Sequence, residues 1–269
     1  MTLAYNKLSL VSDWADPDFR AVAEQVYGVM PDVYRKHWEV TQAARALLDF
    51  GAVHSQARIL GVGAGKEYTS FWLTGHVQQV FATDLYYQGG WPDWADPDML
   101  VDPSPHAPCA YNRQRLVVQH MDGRALQYPD AFFDGLYSSS SIEHFGTLDE
   151  IAQAAREMGR VLKPGGVLSL TTEFKISGPG DGWGNVVVFN ADTLRQYVIE
   201  PSGCVLVDVP DYAIDAETRA TEQDLNWVIA IQKQGQITPT PHVVLRYGEY
   251  VFASFSLAMI KPVYVRWEP

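Results

Sequence analysis

"RILGVGAGKEY", residues 58–68, decides how the rest of the chain is read. The run "RILGV" at 58–62 predicts a buried strand, and "KEYTSFWLT" at 66–74 predicts a helix. Gly61 lies near the end of the strand, and Gly63, Ala64 and Gly65 stand between it and the helix. A glycine-rich turn from strand to helix lets a ligand approach the backbone closely. The dinucleotide fingerprint G-x-G-x-x-G asks for a third glycine. Counted from Gly61 its place falls on Lys66, and counted from Gly63 on Tyr68. A nicotinamide cofactor is therefore the weaker reading of this loop, and S-adenosylmethionine is the other ligand that such a turn serves.

Outward from the loop, strands and helices alternate. "QVFATDL" (79–85), "RLVVQHM" (115–121), "FDGLYSSS" (133–140), "VLSLTTEF" (167–174), "CVLVDVP" (204–210) and "EYVFASFSLAMIKP" (249–262) read as strands. Asp16-Pro17 reads as a helix start, Asp as N-cap and Pro in the first helical position, and that helix runs to Met30. A second helix covers 33–51. Thr147 and Glu150 form a capping box for a helix that presents Ile151, Ala155, Met158 and Leu162 on one face, and Pro164-Gly165-Gly166 ends it. "NADTLRQYVIEPSG" (190–203) predicts another helix. The segment "DWADPD" occurs at 13–18 and at 93–98, which predicts a second Asp-Pro helix start rather than an architectural repeat. Such alternation predicts an α/β fold with a mostly parallel sheet covered by helices on both faces, and ligands beyond the carboxyl ends of the strands.

Composition narrows the class. A chain of 269 residues that is 47% hydrophobic can bury a sizeable core. Twenty Lys+Arg against 32 Asp+Glu give a net charge of −12 without a basic run, so nucleic acid is not the expected partner. Two cysteines far apart, Cys109 and Cys204, predict neither a disulfide framework nor a cysteine zinc site. No apolar run is long enough for a membrane span, and no signal-like segment opens the sequence, so a cytoplasmic setting is expected. Eight Trp and 14 Tyr are many for this length, and suit either core or ligand wall.

Two acids follow the loop at telling places. Asp84 ends the second strand about twenty residues beyond Gly63, where a carboxylate can take ribose hydroxyls. Asp122, in "QHMDG", ends the third, where it can accept from an adenine amino group. With "FFDGLYSSSSIEHF" and "VLKPGGVLSL" in order behind them, the chain resembles the class I S-adenosylmethionine-dependent methyltransferases of the bacterial type 11 kind, best over residues 55–175. The resemblance implies a Rossmann-like seven-stranded sheet with an antiparallel last strand. It also implies one domain over 1–269, made of a helical cap (1–50) and a core (51–269) with inserts at 86–114 and 211–248. S-adenosylmethionine would be held by Gly61, Gly63, Ala64, Gly65, Glu67, Asp84, Leu85, Met121, Asp122, Gly123, Ser138 and Ser139, with the Ser138–Ser140 backbone closing the pocket. This chain departs from the family twice. Gly61 stands where an acid is usual, and Glu67 where a third glycine is usual. Glu67 could meet the amino group of the methionine moiety, or merely favour the helix dipole.

Methyl transfer requires alignment of the acceptor, and a hydroxyl acceptor requires a base near its proton. His144 is the first candidate for that base, with Glu143 to orient it; a purely structural histidine is the alternative. The Glu143-His144 pair resembles the end of E-x-x-E-H, but Ser140 replaces its first acid, so no metal is expected. Tyr86, Trp91, Trp94 and His106 in the aromatic insert, with Trp183 in a glycine-rich loop, are candidate contacts for a small-molecule or carbohydrate acceptor. The aromatics of that insert could equally pack among themselves. The expected activity is O-methylation of such an acceptor. The alternatives are a binding module without turnover and a nicotinamide-dependent oxidoreductase.

Overall fold

The computed structural model describes residues 3–87 and 95–263. Trp91 and Trp94 lie outside the described residues. In chain order the strands are β1 (Lys7–Leu8), β2 (Arg58–Val62), β3 (Gln79–Asp84), β4 (Leu116–His120), β5 (Phe133–Ser139) and β6 (Leu162–Ser177). They continue as β7 (Gly182–Trp183), β8 (Val186–Val187), β9 (Val205–Leu206), β10 (Gln223–Asp224), β11 (Val244–Tyr247) and β12 (Tyr250–Ile260). The longer helices towards the N-terminus are α1 (Pro17–Tyr27), α2 (Arg35–Asp49), α3 (Tyr68–Leu73) and α4 (Leu148–Val161).

The main sheet runs β10-β11-β12-β6-β5-β2-β3-β4. From β6 to β4 every pairing is parallel, and β12 lies antiparallel on β6 over ten residue pairs. This is the expected α/β sheet with an antiparallel last strand. The described sheet has ten strands rather than seven. The expected strand at 204–210 is paired only over Val205–Leu206, so most of the outer edge of β12 is left for other chain. β11 pairs its start, β1 its middle and β9 its end.

Period-two alternation sends β2 into two apolar layers. Leu60 and Val62 join Ile151, Met158 and Val161 of α4 on one face. Ile59 joins Leu47 of α2 and Phe71 of α3 on the other. Both faces of the central strands are therefore covered, as a parallel sheet requires.

Local signals explain the boundaries. Asp16 accepts from the amides of Asp18 and Phe19, and Asp96 accepts from Asp98 ahead of the short turn Pro97–Leu100. Both Asp-Pro pairs are thus helix starts. Thr147 and Glu150 make the reciprocal capping box of α4. After α4 the chain turns through Gly165, at φ +80°, within β6. The helical run at 190–203 is Ala191–Leu194, a π-turn at Arg195–Ile199, then Glu200–Ser202. Pro201 has no N–H for the regular ladder, and the wider turn just before it accommodates that loss.

Candidate functional site

The carboxyl ends of β2, β3, β5 and β6 open into a cavity of about 830 Å³. Its floor is the loop Gly63-Ala64-Gly65, which is pinned from several sides. The Ala64 amide donates to Thr83 O (3.0 Å), and the Gly65 amide to Asp84 Oδ2 (2.8 Å). Tyr86 Oη donates to Gly65 O (2.7 Å), and Ser141 Oγ to Gly63 O (2.7 Å). Gly63 has φ +64°, and a Cβ there would meet Ser141 Cβ at 2.5 Å, so only glycine fits.

Asp84 lines the cavity, and its Oδ1 accepts from the Leu85 amide at 2.7 Å. Burial pushes its carboxyl up, while these two backbone amides oppose the shift. Each carboxylate oxygen keeps a second lone pair for a ligand hydroxyl. Glu67 also lines the cavity. It is the N-cap of α3, yet its side chain makes no capping hydrogen bond. Its Oε2 is shielded from solvent and has no hydrogen-bond partner among the described residues. Burial raises its pKa well above the ordinary value. The Lys36 charge and the Ser139 hydroxyl pull it down, and the Glu39 and Asp84 charges push it up.

Gly61 lies beneath the loop. A Cβ there would stand 2.6 Å from Tyr137 Oη, 2.7 Å from Tyr137 Cζ and 2.9 Å from Ala64 Cβ. The buried Tyr137 phenol, hydrogen-bonded to Ser70, fills the volume that a side chain at position 61 would need.

Helix α2, whose His37-Trp38-Glu39 the sequence offers either as a cap over the cofactor or as packing, supplies a wall whose Arg35 and Lys36 the sequence reading missed. Arg35 Nη1 donates to Glu39 Oε1 (3.1 Å) and to Glu173 Oε1 (2.6 Å), and Lys36 Nζ to Glu39 Oε2 (2.8 Å). Ser254 of β12 donates to Glu39 Oε1 at 2.6 Å. Burial pushes the Glu39 carboxyl up, and Lys36, Arg35 and Ser254 more than offset it, so it is held below its ordinary value. Arg35, Lys36, Glu39 and Glu173 all line the cavity. The sequence signal was the i, i+4 pair Arg35/Glu39 at the start of α2, and a lone Glu173 inside a strand.

Glu143 and His144 also line the cavity. Glu143 Oε2 accepts from Thr172 Oγ1 at 2.8 Å, so its recorded partner is a threonine, not the neighbouring imidazole. Burial and the Glu173 charge push its pKa up to about 8. Burial, with the Lys36 and Arg35 charges, lowers His144 to about 4, so its imidazole is neutral at pH 7. A stability test follows for Glu143. The unfolded carboxyl ionises near 4.5 and the folded one near 8. Between these values the folded chain holds the extra proton, so stability falls as pH rises, by at most about 1.4 kcal/mol per unit. Urea unfolding at pH 6.5 and pH 8 should show wild type losing stability relative to Glu143→Gln. Parallel losses would mean that Glu143 is not held protonated.

The other sequence candidates are dispersed. Ser139, Ser140, His106 and Trp183 line the cavity, as does Ala95 of the insert. Ser138 is buried and does not, and Leu85 contributes through its amide. Tyr86 is turned inward under Gly65 instead of facing an acceptor. Asp122 is gripped by Arg124, whose Nη2 lies 2.7 Å from Oδ2, and that cation holds its carboxyl below the ordinary value. Met121 is buried, and Gly123 packs against Phe145 and Val62. Neither they nor Asp122 line the cavity.

Away from the loop the cavity wall is mostly apolar, with Trp183, Leu225, Val228, Ile229, Leu245 and Phe252, and carries Asn226, Gln232 and His242 as its polar groups. Trp183 stacks on Tyr247 at 4.6 Å. Leu225, Val228 and Ile229 come from the helix Leu225–Lys233 of the insert at 211–248.

Residues 98–170 match the family model described as a methyltransferase domain. Over 124 residues the chain is 30% identical to the 27-O-demethylrifamycin SV methyltransferase of Amycolatopsis mediterranei (strain S699). The chain carries a class I S-adenosylmethionine-dependent methyltransferase domain. S-adenosylmethionine is the cofactor of such a domain. The match covers 40% of this chain and 44% of the relative, so the chain spans less than half the length of the curated relative it matches. Two solved structures share the methyltransferase domain's fold. The YcgJ protein of Bacillus subtilis is 14% identical with a TM-score of 0.53, covering 85% of this chain and 100% of that one. A phosphoethanolamine N-methyltransferase 2 from Haemonchus contortus, in complex with S-adenosyl-L-methionine, is 14% identical with a TM-score of 0.54, covering 91% and 60%. No helix among the described residues is long and apolar enough to cross a membrane.

Proposed function

We propose that the chain methylates a hydroxyl oxygen of a small acceptor that has an apolar, partly aromatic body. The observation that carries this reading is the two-ended cavity. One end has the glycine loop, Asp84 and Glu67, and the other has Trp183, Leu225, Val228, Ile229 and Phe252. Its volume of about 830 Å³ lies towards the upper end of the range for ligand pockets. The curated relative is named for a 27-O-demethyl acceptor, which supports transfer to oxygen. A carbohydrate acceptor draws less support. Trp91 and Trp94 lie outside the described residues, and Tyr86 faces away from the cavity.

The residues fit the cofactor at the loop. Gly63 and Gly65 leave room for close approach, Asp84 keeps lone pairs for the ribose, and the Ser139–Ser140 backbone borders the pocket. When bound, S-adenosylmethionine supplies an electrophilic methyl group on a sulfonium. His144 stands at the exit of β5 on the cavity, and its neutral imidazole can take the acceptor's hydroxyl proton. The apolar wall orients the acceptor body and excludes water.

The test begins with thermal unfolding in the presence of S-adenosylmethionine, S-adenosylhomocysteine or NAD. A shift with the sulfur ligands and none with NAD is expected; a shift with NAD alone would sink the reading. Production of S-adenosylhomocysteine is then followed across hydroxylated aromatic acceptors and across free sugars. With a competent acceptor, His144→Asn should lower kcat about 100-fold and leave S-adenosylhomocysteine affinity unchanged. An unchanged kcat would remove His144 from the chemistry.

A further inference from the structure

We propose that Glu67 and Lys36 form a clamp for the amino-acid end of the cofactor, with Glu67 taking the α-ammonium and Lys36 the α-carboxylate. The inference rests on the S-adenosylmethionine reading above and says which groups hold the zwitterion.

Three observations carry it. First, position 61 cannot supply a carboxylate, because Tyr137 occupies the space that any side chain there would enter. Whatever holds an ammonium beside this loop must come from elsewhere. Second, Glu67 presents to the same cavity an oxygen shielded from water and without a hydrogen-bond partner among the described residues. A buried polar atom left unpaired is costly, and a carboxylate oxygen is satisfied best by a cationic donor. Its failure to cap α3 shows that the side chain is not spent on the helix. Third, Lys36 lines the cavity, and its charge is the strongest favourable electrostatic influence on Glu67.

The two cations of α2 differ in what they have left to offer. Arg35 is engaged by Glu39 and Glu173 deep in the wall. Lys36 is 27% exposed, and Glu39 is its one ion-pair partner among the described residues. An ammonium has three donors, so Lys36 can hold Glu39 and a ligand carboxylate together. Opposite charges in the lining of one cavity match a zwitterion and disfavour a ligand that carries only one of its two charges.

The test uses the full chain and two ligands, S-adenosylhomocysteine and 5′-methylthioadenosine. The second keeps the adenosine and the sulfur but lacks the amino acid. Isothermal titration of wild type, Glu67→Gln and Lys36→Met reads the dissociation constants. The clamp predicts that each substitution raises the constant for S-adenosylhomocysteine tenfold or more and moves that for 5′-methylthioadenosine less than twofold. Retained 5′-methylthioadenosine binding shows that the variants are folded around the site. Unaltered S-adenosylhomocysteine affinity in Glu67→Gln would overturn the clamp and leave the cofactor reading standing. Equal losses for both ligands would also overturn it, since the damage would then be general. A wild-type protein that binds neither ligand would overturn the cofactor reading, and the clamp with it.

Discussion

Gly61→Asp, which restores the acid that the family resemblance leads one to expect, should lower the melting temperature by roughly 5–10 °C and weaken cofactor binding rather than improve it. The new Cβ would lie 2.6 Å from Tyr137 Oη and 2.9 Å from Ala64 Cβ. Tyr137 is fully buried and cannot swing into solvent. Overfilling a packed site costs about 1–3 kcal/mol. A carboxylate placed there without a counter-ion adds further cost. Ala64 belongs to the loop, so the strain falls on the segment that must fit the ligand. Differential scanning calorimetry with and without S-adenosylhomocysteine reads both effects. An unchanged melting temperature would show that Tyr137 yields, and the account of the missing acid would fall. Tyr137→Ala in the Gly61→Asp background should recover part of the loss.

Arg35→Met should cost about 3–5 kcal/mol at pH 7, because it leaves buried carboxylates without their guanidinium. Glu39 then keeps Lys36 and the Ser254 hydroxyl, and Glu173 loses its ion pair. The deficit should shrink as pH falls. In wild type Glu39 is held below its ordinary 4.5. Without Arg35 the folded carboxyl takes a proton more readily than it does in wild type. Wild type, whose carboxyl is held lower, therefore loses more stability towards acid than the variant, and the gap between them narrows. Urea unfolding at pH 5, 6.5 and 8 measures this. A deficit independent of pH would assign the loss to packing of the arginine stem rather than to charge.

These two sites mark where sequence reading succeeded and where it ended. The strand-loop-helix at 58–73, the Asp-Pro starts and the Thr147/Glu150 box were legible because their signals are local: periodicity, caps and glycine spacing. Two edge strands were not. Lys7–Leu8 and Val244–Tyr247 become strands by lying along β12, and no short window encodes a partner that distant. The run at 204–210 was legible as a strand, but not its shortening to Val205–Leu206. Gly63, Gly65, Ser139 and Ser140, which line the cavity, were legible for the same local reason. Arg35, Lys36 and Glu173 were not, because a charged residue on the inner face of a helix or strand looks in sequence like one facing solvent. Side-chain direction was equally hidden. Asp122 was read from its place at the end of a strand, and Arg124, two residues on, turns it away. Tyr86 was read as a ligand aromatic, and Gly65 draws its hydroxyl beneath the loop.

The edge of β12 bears on how the protein is made. The ribosome delivers the glycine loop and Asp84 early, and Ser254, which fastens Glu39 of α2, far later. β1 precedes α2 in the chain, yet its partners Phe255 and Ser256 come from the last strand described. A nascent chain that has reached the end of β6 therefore has a floor for the ligand and no secured wall. Closing such distant pairs is slow, since loop entropy is lost before the contacts that offset it form. Ligand capture thus waits for β12, and a chain stalled short of residue 254 carries the motif without the serine that fastens the wall.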